Sequence, residues 1–113
     1  MKWPKKHTKN LIYKSLLNTE PKTEEQICNA AINLAVKKEF FKFDDGQEDS
    51  DQVPEPILTN LDIKDQTLIA DTVKEILKEL TENELLRIYP NSTVSLTTDG
   101  MSFVLSALPK VYF

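Results

Sequence analysis

The chain has 113 residues, 40% of them hydrophobic and 28% charged, with two glycines, six prolines, one cysteine and one histidine. That length and apolar fraction fit one domain with one core and exclude a two-domain enzyme. Eighteen acidic against fourteen basic side chains leave a net charge of −4, which excludes a surface that is basic all round but not a local basic patch.

Residues 1–14 carry five lysines and no acid, whereas residues 37–55 carry three lysines and seven acids. Charge is therefore segregated along the sequence, and residues 1–9 read as a basic arm. After Pro4, Thr8 is placed to cap a short helix whose stripe is Leu11, Ile12, Leu16 and Leu17, read as a packing or dimerisation helix. Thr23-Glu24-Glu25-Gln26 has the form of a capping box and opens a second helix. Ile27, Ala30, Ala31, Leu34 and Ala35 recur at helical spacing in it, and it runs to about residue 38. Phe40, Phe41 and Phe43 then read as a strand or as anchors at the helix end, two readings that periodicity does not separate.

Residues 44–55 are polar and acidic and read as an exposed loop. Counted as a calcium loop from Asp44, they put Gly46 at the third position and Asp49 at the sixth, where a glycine is needed, so no calcium site is expected. Pro56 can open a short helix through Ile57, Leu58 and Leu61. A turn at residues 62–65 follows, with Asp65 as the cap of a longer helix to Leu80. Its apolar side is Leu68, Ile69, Val73, Ile76, Leu77 and Leu80. Residues 85–89 and 93–97 form two strands around a Pro90-Asn91-Ser92 tip, and Thr97 or Asp99 caps a last helix stopped by Pro109.

Residues 56–105 resemble a winged helix-turn-helix domain, the fold of many MarR- and PadR-like transcriptional regulators. The likeness rests on the helix-turn-helix spacing from Ile57 to Leu80, on the run from Leu77 to Leu86 that ends the longer helix, and on Leu96-Thr97-Thr98-Asp99-Gly100 leaving the wing. One departure stands out: those families usually place glycine before the strand that leads into the wing, and this chain has Glu84 there. The turn is then expected to place Asn83 in the left-handed conformation. The fold expected is α+β, mostly helical, one domain over residues 1–113 with a two-stranded wing and flanking terminal helices.

A winged helix that reads DNA presents the first half of its longer helix to base edges, here Gln66, Thr67, Ala70 and Lys74. Phosphate contacts then fall to Lys64, Lys74, Lys78, Arg87 and the arm lysines Lys5 and Lys6, with Asn91 at the wing tip. Residues 56–89 carry seven acids against four bases, and Asp71 shares the exposed face, so phosphate is repelled unless Asp71 pairs with Lys74 and Glu75 with Lys78. The expected partners are DNA and a second copy of the chain, joined through the first and last helices. The alternative is a non-catalytic protein-interaction module. A third, weaker reading is a small-ligand sensor with a pocket between dimer helices.

No catalytic set is visible. His7 has no second His or Cys near it in the sequence and reads as an exposed histidine rather than a metal ligand or base; Cys28 reads as a small buried hydrophobe. Trp3 is open between an anchor on a partner and an unpacked terminal aromatic. Asn91-Ser92-Thr93 has the glycosylation pattern but reads as a polar turn. Neither an export signal nor a membrane-spanning run is visible, and a lone cysteine allows no internal disulfide. The expectation is a cytoplasmic protein without metal, cofactor or enzymatic activity.

Overall fold

A computed structural model of the chain describes residues 3–17, 20–42 and 55–113. Three helices come first, α1 (Thr8–Leu16), α2 (Glu24–Lys37) and α3 (Ile63–Glu82). A two-stranded antiparallel hairpin, β1 (Leu86–Ile88) with β2 (Val94–Leu96), leads into α4 (Thr98–Ala107). This is an α+β, mostly helical domain with a winged-helix-like order of elements.

The core lies among the first three helices. Leu11, Ile12 and Leu16 of α1 meet Ile27, Ala31, Ile32 and Ala35 of α2, and Ile69, Val73, Ile76 and Leu80 of α3 close the cluster. Each of the larger side chains contributes about 1.5–3 kcal/mol through burial. The capping box at Thr23 forms as its residues require: the Gln26 amide donates to the Thr23 hydroxyl at 3.2 Å, and the Thr23 amide donates to Gln26 Oε1 at 2.9 Å. Lys22 adds a bridge to Val94 on the side of β2 away from β1, so the hairpin is tied to the start of α2. Sequence periodicity carries no signal for a pairing one residue long.

Several local expectations are corrected. Thr8 is the first residue of α1, not its cap; its buried hydroxyl accepts the Trp3 indole N–H at 2.8 Å. Trp3 is 3% exposed and lies edge-on to Phe41, so the basic arm is docked on the core rather than free. The helix expected from Pro56 to Leu61 is a 3-10 turn of three residues, Leu58–Asn60, held to α2 where the Leu58 amide donates to Asn29 Oδ1. Among the described residues α2 is therefore the α-helix that precedes α3, and residues 57–61 do not supply the first helix of the helix-turn-helix read from Ile57 onward. The cap of α3 is Asp62 and not Asp65, which sits in its first turn. Phe40 and Phe41 anchor the end of α2, while Phe43 and the loop positions 44–54 lie outside the described residues.

The turn before β1 is built differently from expectation. Glu84, not Asn83, takes the left-handed conformation, with φ 58° against −97° at Asn83. The Leu85 amide bonds the Leu80 carbonyl and the Glu84 amide bonds the Thr81 carbonyl, the double closure of a Schellman motif. α2 ends in the same way, with Glu39 at φ 61°, Phe40 bonded to Ala35 and Glu39 bonded to Val36. Both helices therefore place glutamate where glycine is cheapest. Glycine is used instead at Gly100, where a Cβ would stand 2.1 Å from the Leu85 carbonyl oxygen. That contact seats the first turn of α4 on the strand, with Thr97 as its cap: the hydroxyl accepts from the Gly100 amide and donates to the same Leu85 carbonyl.

The expectation of spare apolar stripes on both terminal helices is not met in α1, and on α4 the two exposed large apolar residues flank a buried valine on different sides of the helix. Of the α1 stripe, Leu11, Ile12 and Leu16 are buried in the core and Leu17 packs half-buried against it, so no apolar face is left over. α4 buries Val104 and leaves Phe103 and Leu105 exposed. Among the described residues no helix is long and apolar enough to cross a membrane.

Candidate functional site

The long helix exposes Lys64, Thr67, Asp71, Lys74 and Lys78, steps of three and four residues that put all five on one side. Opposite this side Ile69, Val73, Ile76 and Leu80 are buried, which fixes the rotation of the helix. Gln66 is half-buried, and its side-chain amide donates to the Leu61 carbonyl at 2.7 Å, so it braces the entry to α3. Ala70 is also half-buried. Of the residues expected to face bases, Thr67 and Lys74 are the exposed pair.

The hairpin stands beside the second half of α3, and a groove of about 420 Å³ lies between them. Leu77, Leu86, Ile88 and Val94 form its apolar floor, with Lys74 and Lys78 on the helix side and Ser92 of the hairpin tip on the other. Glu24, the first residue of α2, also lines it. Ile88 is 60% exposed. The tip is held internally: Asn91 Oδ1 accepts from the Thr93 amide and hydroxyl, and Ser92 has φ 65°. This is the polar turn read from the sequence.

Other expected contact residues stand apart from this groove. Side chains alternate along a strand, so Arg87 lies on the face opposite Leu86 and Ile88. There Ser95 and Arg87 hydrogen-bond the Tyr89 hydroxyl and pull it below the usual phenol range. Lys5 and Lys6 belong to a 3-10 turn, Lys5–His7, docked at the far end of α2. His7 stacks on Phe40 with ring centroids 4.4 Å apart and hydrogen-bonds the Tyr112 hydroxyl, so it is half-buried rather than exposed. A helix of 14 residues is about 20 Å long at about 1.5 Å per residue, which separates the arm lysines from the groove at Glu24 by that order.

Neither Asp71 with Lys74 nor Glu75 with Lys78 closes into an ion pair among the described residues. Among the described residues Asp71 and Glu75 have no ion-pair partner. Cys28 is buried as expected, and burial, with a smaller contribution from Glu24, pushes its thiol up to about 11. Among the described residues no group of three or more His, Cys, Asp or Glu side chains is placed to hold a metal ion.

The class these elements define is a small helical domain with a hairpin after its third helix and a further helix behind it. Comparison with protein-family models, with curated proteins and with solved structures finds no match.

Sequence reasoning missed Ile88 and Glu24 as groove residues. The alternation of Leu86 and Ile88 across Arg87 carried the signal for the first; the second depended on the Lys22 bridge, which no pattern announces.

Proposed function

We propose that the chain is a winged-helix protein that binds duplex DNA and regulates transcription, with α3 in the major groove and the hairpin as its wing. The observation that carries this reading is the exposed side of α3, where Lys64, Thr67, Lys74 and Lys78 stand clear of the core with Asp71 among them, Lys74 and Lys78 lying beside the hairpin. Thr67 offers a methyl and a hydroxyl to a base edge, Lys74 a charged donor, and Lys64 and Lys78 reach phosphate. Gln66 acts by holding the first turn of α3 in place. The exposed Phe103 and Leu105 of α4 are the apolar residues a homodimer through the last helix would cover, and a dimer that reads two half-sites needs its α3 helices about 34 Å apart.

The test is selection of a preferred duplex from a random pool, followed by the Thr67→Ala and Lys74→Ala variants. The expected result is a loss of preference at the bases they face. Unchanged affinity and preference in both variants would refute the assignment of α3. A second reading, a protein-interaction module, is favoured by the apolar groove with its exposed Ile88. It predicts no preferred duplex and a partner lost on Ile88→Asp.

A further inference from the structure

Folding gathers positive charge that the sequence spreads over several segments. Trp3 and His7 fasten the first turn to Phe41 and Phe40, just past the end of α2, and His7 also meets Tyr112. Lys38 at that helix end donates to the Phe113 main-chain oxygen at 2.9 Å, and the Lys14 ammonium lies 4.5 Å from the Phe113 ring centre. Residues 3–17, 36–42 and 109–113 thus converge on one end of the molecule. They carry eight lysines and a single acidic side chain, Glu39. The remaining described residues are acidic in balance, so charge is polarised among the described residues.

Five of these lysines, Lys5, Lys6, Lys37, Lys42 and Lys110, are exposed and form no ion pair among the described residues. A helix C-terminus favours cations, which accounts for Lys37 and Lys38. It does not account for Lys5, Lys6, Lys42 and Lys110, which come from other segments. The Trp3, His7 and Tyr112 contacts hold these like charges together at fixed places instead of letting them spread on a free arm. Gathering them costs repulsion, screened only over about 10 Å at 0.1 M salt.

We propose that this end is a phosphate-binding surface for duplex nucleic acid, separate from the exposed side of α3; the proposal rests on the reading that the chain binds DNA. The α3 side carries Asp71 and Glu75 without ion-pair partners among the described residues, so it neutralises few phosphates by itself. The lysine end supplies the missing neutralisation. Lysine suits the task, because an ammonium on a flexible stem follows a phosphate backbone without reading its sequence. Val111 and Phe113 are the exposed apolar residues here, and the Lys14 ammonium covers part of the Phe113 ring. Two side chains fall short of the apolar face that an interfacial helix inserts into lipid.

The experiment measures binding of a random-sequence duplex by fluorescence anisotropy from 25 to 200 mM NaCl. It compares the full chain with the variant Lys5→Gln/Lys6→Gln/Lys37→Gln/Lys110→Gln, folding being checked by circular dichroism. Each lost phosphate contact lowers the log–log salt slope by about 0.9, so a slope reduced by about 3 to 4 is expected, with affinity down more than about tenfold at 0.1 M salt. A slope that changes by less than one unit would overturn the proposal. So would absence of duplex binding by the unaltered chain at 25 mM salt, or binding to phosphatidylserine vesicles in its place. The Thr67→Ala/Lys74→Ala variant separates the two surfaces. If it leaves a selected site untouched while the lysine variant flattens the slope, the α3 reading fails and this one stands; the reverse pattern overturns this one alone.

Discussion

Replacing Glu84 by glycine should stabilise the domain, although glycine near a helix is usually costly. Glu84 sits at φ 58° as the residue that closes a Schellman motif, where an L side chain costs about 1–2 kcal/mol. Glycine removes that cost but adds freedom to the unfolded chain worth about 0.5–1 kcal/mol. The expected net gain is about 0.5–1 kcal/mol, and Glu39→Gly at φ 61° should give a similar one. The two turns lie at the ends of different helices, so the double variant should gain nearly the sum. Urea unfolding reads this as a raised midpoint at constant slope. Two controls isolate the backbone effect. Glu84→Ala deletes the carboxylate but keeps the Cβ and should gain less than glycine. Asn83→Gly should destabilise, because Asn83 is not left-handed and its side-chain amide donates to the Glu79 carbonyl at 2.8 Å. If Glu84→Ala equals Glu84→Gly, or if Asn83→Gly is the stabilising change, the conformational argument is wrong.

Gly100→Ala should cost about 1–3 kcal/mol, because the new methyl meets the Leu85 carbonyl and must push α4 away from the turn before β1; an unchanged melting temperature would refute the contact. Trp3→Phe deletes the buried bond to Thr8 and should cost about 1–2 kcal/mol. In that background Thr8→Val should cost less than it does alone, a coupling that a double-mutant cycle measures. The Cys28 thiol is raised in the folded state, so its share of stability is complete below pH 9 and lost as pH climbs towards 11. The stability difference between wild type and Cys28→Ala should shrink over that interval, and iodoacetamide at pH 8 should modify the native thiol far more slowly than the unfolded one.

The features legible in the sequence were those that a local rule writes. The capping box at Thr23, the apolar period of α3 and the Asn91 turn each follow from side chains within a few residues of one another. What escaped depended on partners distant in the chain. The Trp3 indole finds Thr8 only once the arm is docked against Phe41, and Lys22 pairs with a strand 72 residues later. Pro56 carried a start signal for a helix, but the segment closes only the 3-10 turn Leu58–Asn60 before its backbone is drawn onto Asn29 of α2. Glu84 escaped for another reason: rules of turn chemistry favour asparagine over glutamate in the left-handed region, and here the Leu85 to Leu80 closure overrides that preference.

Charge shows the same division between local and assembled information. Read along the chain, the lysines of residues 1–14 form a basic arm and those at 37, 38, 42 and 110 are scattered among acids and apolar residues. The fold removes that distinction, because the aromatic contacts of Trp3, His7 and Phe40 bring the arm to the end of α2 and Tyr112 brings Lys110 to the same place. A net charge of −4 therefore describes no part of the surface. One end gathers lysines, and the exposed side of α3 carries both signs. If both bind one duplex, affinity and sequence preference reside on different elements: salt acts on the first, and substitutions at Thr67 and Lys74 act on the second.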